Sequence, residues 1–201
     1  MSSAPVAAPQ LWIVAGPNGS GKSTLYDRTN IEDFGRSVWI INPDLLAARI
    51  AAQEGLELYA ANLASVQRIE AWLYSSIAAY QTVGVETVLS TSKYRALIAT
   101  AKRSGFEIRL FYVLLRSVEL NIERVRLRVA KGGHAVPEDK IRQRHRNSLE
   151  QLPWFLEQAD WAEIYDNSDE SPDPVGLKRD GVIQIDPKAP ADLLKALTNT
   201  P

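Results

Sequence analysis

The chain has 201 residues, no cysteine, and a formal net charge of −1, with 23 Lys and Arg against 24 Asp and Glu. Disulfides, thiol catalysis and cysteine-built metal sites are excluded, and so near-neutral a balance argues against nucleic acid as the main partner. At 45% hydrophobic and 23% charged the composition is that of a globular protein, and no apolar run approaches the roughly 18 residues of a membrane helix.

Residues 1–9 begin "MSSAPVAAP", with neither a basic n-region nor a long apolar stretch, and are expected to be a flexible lead-in to a cytoplasmic protein rather than a signal peptide. Residues 10–201 are expected to form a single domain. β-rich runs at 11–15, 37–41, 84–89, 107–115 and 162–167 alternate with helical patterns at about 22–29, 44–53, 60–80, 94–104, 117–130 and 137–159. Such alternation predicts an α/β fold with a mostly parallel five-stranded sheet flanked by helices. After the turn-rich "SDESPDPVGLKRDG", a short strand "VIQID" and a helix "APADLLKAL" form a small C-terminal addition, and "SPDPVGLKRDGVIQID" also reads as a hairpin completing the sheet.

The first strand, "LWIVA", runs into Gly16-Pro17-Asn18-Gly19-Ser20-Gly21-Lys22-Ser23, which fits the phosphate-binding loop G-x-x-x-x-G-K-[ST]. Glycines let the backbone wrap closely, so that successive amide N–H groups cradle phosphate oxygens, and the helix beginning near Lys22 adds its positive end. Residues Gly16 to Thr24 are thus expected to bind ATP. Lys22 would reach the β- and γ-phosphates, and the Ser23 hydroxyl would ligate Mg²⁺. The fourth strand ends "VLLRS" without an acid, and there is no N-K-x-D motif for guanine, which points away from a motor or GTPase and towards a small-molecule kinase.

In an open parallel sheet, ligands sit beyond the carboxyl ends of the strands. "SVWIINPDLLA" puts Asn42 and Asp44 there, Asp44 either as a base for an acceptor hydroxyl or as the N-cap of the next helix. Glu86 interrupts an apolar strand, which is costly unless the carboxylate is paired or faces a site. Thr87, Ser90 and Thr91 continue that polar exit as acceptor-binding candidates.

The segment "IERVRLRVAKGGHAVPEDKIRQRHR" places Arg124 and Arg128 on one helix face and Arg144 on a second helix, across "KGGHAVP". A helix, glycine hinge, helix unit of this kind reads as a closing lid, about residues 124–146, that brings guanidinium groups to a phosphoryl group and excludes water. Gly132 and Gly133 would be its hinge, Pro137 the first residue of the second helix, and His134 a binding residue in the loop. A solvated basic face is the plainer alternative.

The stretches "AGPNGSGKST", "INPD", "ETVLS" and "RVRLRVAKGGHAVPEDKIRQRHRNSLEQL", spanning residues 10 to 167, resemble the zeta-toxin family of P-loop kinases, in its GGH-type branch. Its best-known members phosphorylate the 3′-hydroxyl of a UDP-activated N-acetylated amino sugar. The resemblance implies Asp44 as base, Glu86 as an acceptor-binding residue, and Arg124 or Arg128 with Arg144 on the phosphates. It also implies UDP-N-acetylglucosamine as acceptor and an antitoxin protein as partner. Relatives commonly carry Thr two residues after the glutamate and Arg-Ser on the second lid helix, where this chain has Val88 and Asn147-Ser148. A kinase of a nucleoside or antibiotic, and a nucleotide-dependent switch without a small acceptor, remain open alternatives.

Overall fold

The computed structural model describes residues 7–28, 38 and 40–198. Among them seven strands, β1 (Gln10–Ala15), β2 (Ile40–Ile41), β3 (Val83–Thr87), β4 (Glu107–Leu114), β5 (Trp161–Asp166), β6 (Asp173–Arg179) and β7 (Val182–Ile185), form one sheet in the order β2-β3-β1-β4-β5-β6-β7. The first five in chain order run parallel, and β6 and β7 complete the sheet antiparallel. Seven helices connect them: α1 (Lys22–Arg28), α2 (Pro43–Glu54), α3 (Leu58–Ala78), α4 (Arg95–Arg103), α5 (Val118–Ala130), α6 (Glu138–Gln158) and α7 (Ala191–Thr198).

β1 is central because both its faces are apolar. Leu11, Ile13 and Ala15 point to one side and pack with Ile69, Leu73 and Ile77 of α3, Leu97 and Ile98 of α4, and Leu152 and Phe155 of α6. Trp12 and Val14 point to the other, where Phe111, Val113 and Leu25 of α1 meet them. Burial on both faces is what a parallel strand requires, and it explains the unbroken apolar run of the sequence. A smaller cluster, Ile122, Val125 and Ile141, joins α5 to α6. The chain turns from β3 on one side of β1 to β4 on the other, so the carboxyl end of β1 opens at the switch point where such sheets bind ligands.

The sheet has seven strands rather than five because the C-terminal hairpin completes it: the expected "VIQID" strand joins as β7, and "DPVGLKR" within the turn-rich stretch is β6. Its glycine and proline disguise a strand. A Cβ on Gly176 would lie 2.8 Å from Ile185 Cδ1 and 3.1 Å from Ile164 Cδ1, so the strand passes too closely under its neighbours for a side chain. Pro174 falls where the β5–β6 register shifts at Ile164/Tyr165. The third strand stops at Thr87, since Leu89 takes a left-handed φ of 57°. Residues 37 and 39 of the expected 37–41 strand and Thr29 of the first helix lie outside the described residues. Among the described residues no helix is long and apolar enough to cross a membrane.

Candidate functional site

The loop after β1 is shaped from outside by three different elements, one at each glycine. Gly16, at φ 144°, would place a Cβ 2.0 Å from the Val113 carbonyl oxygen of β4, and its N–H is held by Thr87 O at 3.2 Å. Gly19, at φ 76°, would meet Asn121 O of α5 at 2.7 Å, and Gly21, at φ 89°, would meet Asn167 Nδ2 after β5 at 2.2 Å. A side chain at any of them pushes the loop off its support, and a positive φ disfavours one in any case. Pro17, Asn18 and Ser20 are buried, Ser20 with its hydroxyl unpartnered, while Thr24 is exposed.

Lys22 folds back on this loop. Its Nζ donates to Gly16 O at 2.8 Å and Pro17 O at 3.1 Å and lies 4.0 Å from Glu86. Burial holds its pKa below that of an ordinary lysine. The charges of Glu86 and Asp44 oppose that shift, and Arg128 adds to it. Asp44 and Arg128 thus both act on the lysine of the loop.

Glu86 sits on β3 opposite Val14 and is the hub of the acidic side. Its Oε2 accepts from Ser23 Oγ at 2.9 Å and from Asn42 Nδ2 at 3.0 Å. Asn42 is the N-cap of α2: its Oδ1 accepts from the N–H of Asp44 at 2.9 Å and of Leu45 at 3.3 Å, and Pro43 opens the helix. The cap is therefore Asn42, not Asp44, whose carboxylate is left exposed in the first turn. Thr87 uses its hydroxyl locally, accepting from Leu89 N at 3.1 Å, and Ser90 offers its carbonyl to Asn147 Nδ2 at 3.5 Å.

Of the arginine-rich segment, Arg124 and Arg144 reach the loop, and the charge of Arg128 is felt at Lys22. Arg144 NH1 reaches Asn18 Oδ1 at 3.4 Å. Arg128 donates to the carbonyl of His134 at 2.9 Å, and its Nε is buried without a partner. Gly133 is pressed against that arginine, since a Cβ there would lie 2.6 Å from Arg128 Cγ. Arg124 is held at the other end of the loop, donating to Ser168 O at 3.2 Å, with NH1 3.8 Å from the Cβ position of Gly21. Arg126 and Arg142 instead make exposed ion pairs with Glu138 and Glu119, the solvated kind that adds little. Exposed His134 contributes its carbonyl to Arg128, and Pro137 is the N-cap of α6, one residue before the first-turn position expected.

Two residues not anticipated from the sequence complete the loop's support: Asn121 Nδ2 donates to Asn18 O and Asn167 Nδ2 to Ser20 O, both at 2.8 Å. The helical spacing of Asn121 with Arg124 and Arg128 was the available signal. A separate groove of about 1460 Å³, lined in part by His145, Leu149, Trp154, Ile183 and Lys195, contains no residue of the loop.

Sheet order, loop and parallel core define an α/β P-loop protein with a kinase-like fold. Within that class the chain belongs to the AAA_33 family, an AAA domain whose model matches residues 11–151, from β1 into α6. An uncharacterized protein of Haemophilus influenzae is 30% identical over 143 residues, 68% of this chain and 97% of that protein. Among solved structures, a chain of the AvrRxo1-ORF1:-ORF2 complex with ATP superposes with a TM-score of 0.71 at 16% identity, covering 96% of this chain and 64% of its own. This chain therefore spans somewhat under two thirds of that neighbour. A chain from the PezAT chromosomal toxin-antitoxin system of Streptococcus pneumoniae gives 0.62 at 17% identity, covering 83% and 70%. At such identities these are likenesses of fold.

Proposed function

We propose that this protein is an ATP-dependent phosphotransferase that moves a γ-phosphoryl group to the hydroxyl of a small molecule, with a UDP-activated N-acetylated amino sugar as acceptor class. The observation that carries the reading is the bonded series Ser23–Glu86–Asn42, which ends at the start of α2 and leaves the carboxylate of Asp44 exposed where it acts on Lys22. A base and arginines gathered about a phosphate loop are what transfer to an alcohol needs.

A divalent cation arriving with the nucleotide fits this corner. Ser23 Oγ and Glu86 Oε2 are hard oxygen donors 2.9 Å apart, and among the described residues no group of three or more His, Cys, Asp or Glu could hold a metal by itself. Ser23 and Glu86 would hold Mg²⁺, which neutralises charge on the β- and γ-phosphate oxygens. The acceptor oxygen bonds to the γ-phosphorus as the bond to the β–γ bridging oxygen breaks, and the hydroxyl proton passes to Asp44. Lys22, released from the Gly16 and Pro17 carbonyls, takes up charge on the transferring group together with Arg128 and Arg144. Arg124 serves the nucleotide at the far end of the loop. Residues 124–146 act as the lid, closing about Gly132 and Gly133. The fold likeness to a chain of a toxin-antitoxin system supports an antitoxin as protein partner.

The Ser23–Glu86 contact would serve simple hydrolysis equally well, and this keeps a nucleotide switch as the second reading. Incubation with ATP, Mg²⁺ and UDP-N-acetylglucosamine, followed by mass spectrometry, separates them. A sugar heavier by one phosphoryl group is expected. ADP formation indifferent to every sugar nucleotide, nucleoside and antibiotic offered would overturn the kinase reading, and transfer to another acceptor would replace the substrate class alone.

A further inference from the structure

The loop is gripped by two carboxamides that the proposed chemistry does not use. Asn121, fully buried on α5, donates to the carbonyl of Asn18, and Asn167, just past β5, donates to the carbonyl of Ser20, each at 2.8 Å. A trans peptide points its C=O and the following N–H in opposite directions. Drawing the Asn18 carbonyl outward to α5 therefore turns the N–H of Gly19 inward. Drawing the Ser20 carbonyl towards Asn167 does the same for the N–H of Gly21. Both glycines hold positive φ, 76° and 89°, and each would strike the asparagine, or its backbone, that grips the peptide before it.

The acceptor half of Asn121 sharpens this. Its Oδ1 is buried with no hydrogen-bond partner, a cost that an apolar side chain of the same size would avoid. Packing alone does not account for an asparagine there; its N–H donor does. The residue it grips is held from α6 as well, through Arg144 and Asn18 Oδ1.

We propose that Asn121 and Asn167 are positioning residues that preset the amides of Gly19 and Gly21 towards the nucleotide phosphates, and so fix affinity for ATP before any acceptor binds. The proposal rests on the nucleotide-binding part of the reading above, not on the acceptor. Asn121→Leu and Asn167→Ala are compared with wild type by calorimetric titration with ADP and ATPγS in Mg²⁺, and by thermal melting without nucleotide. Each variant is expected to bind on the order of tenfold more weakly, the loss of about one well-placed hydrogen bond. Melting of Asn121→Leu should stay within about 3 °C of wild type, because removing the unpartnered Oδ1 offsets the lost bond. With an acceptor in hand, KM for ATP rises while kcat at saturating ATP holds. Wild-type affinity in both variants, or a loss matched by an equal fall in melting, would overturn the proposal. Should Asn121→Leu fail to fold, the half-buried Asn167→Ala decides in the same way. A wild-type chain that binds neither nucleotide overturns the reading and the proposal together. One that binds but transfers to no acceptor loses only the transfer, and the titrations still decide.

Discussion

Replacing Asp44 with asparagine separates catalysis from helix capping. The first free amides of α2, those of Asp44 and Leu45, are already met by Asn42 Oδ1 at 2.9 and 3.3 Å. The Asp44 side chain therefore contributes to folding only as a negative charge in the first turn of a helix, about 0.3–1 kcal/mol. For a chain of about 200 residues, 1 kcal/mol moves the melting temperature by about 2–4 °C, so a fall of no more than ~4 °C is expected. Turnover should drop by about 10²–10⁴-fold, the usual contribution of a placed base. Binding of ADP should be nearly unchanged, because none of the loop's hydrogen bonds passes through this side chain. A coupled assay of ADP release at saturating ATP and acceptor gives the first quantity, and scanning fluorimetry with nucleotide titration gives the others. Turnover within about threefold of wild type would refute the assignment of the base. A melting loss beyond ~8 °C would refute the claim that Asn42 alone caps the helix.

Glu86→Gln keeps an oxygen for Ser23 or Asn42 but removes the charge beside Lys22, and should raise the Mg²⁺ concentration for half-maximal turnover by about 10–100-fold in a metal titration. Gly133→Ala puts a methyl group 2.6 Å from Arg128 Cγ and 2.9 Å from the Arg128 carbonyl oxygen, and should lower melting as well as cut turnover about tenfold; Gly132→Ala, in open space at φ 84°, should cost about 1–2 kcal/mol of stability through its left-handed backbone alone. Burial holds the pKa of His145 below the ordinary 6.5, with Asp192 and Glu119 opposing that shift and Arg146 aiding it. The unfolded chain therefore takes up a proton below about pH 6.5 that the folded chain resists, and stability falls as pH drops through that window. His145→Gln should flatten the melting-versus-pH curve between about pH 7 and 5; an unaltered slope would assign the acid sensitivity elsewhere.

The loop and the asparagine–proline–aspartate turn were legible because each is a local device: consecutive glycines, a lysine and a serine carry their meaning in their spacing. The shared helix face of Arg124 and Arg128 was also legible from their spacing, and Arg144 reaches the loop through Asn18. The partner of Ser23 was not legible. Glu86 lies 63 positions further on, and only the pairing of β3 with β1 brings it alongside. Asn121 hid for a different reason. An asparagine among Ile122, Val125 and the arginines looks like an indifferent helical residue until the loop carbonyl it grips is in place. β6 was legible only as half of a C-terminal hairpin, because glycine and proline, which usually mark turns, here relieve crowding inside a sheet.

The face of α5 that carries Asn121 and Val125 lies against the phosphate loop at Asn18 and Gly19. Such a rail cannot swing without dragging the cradle out of shape. On the proposed reading, lid motion would therefore lie beyond Val125, towards the paired glycines. Ile141 ties α6 back to Ile122 and Val125, so both helices would hold still while the stretch joining them gives way.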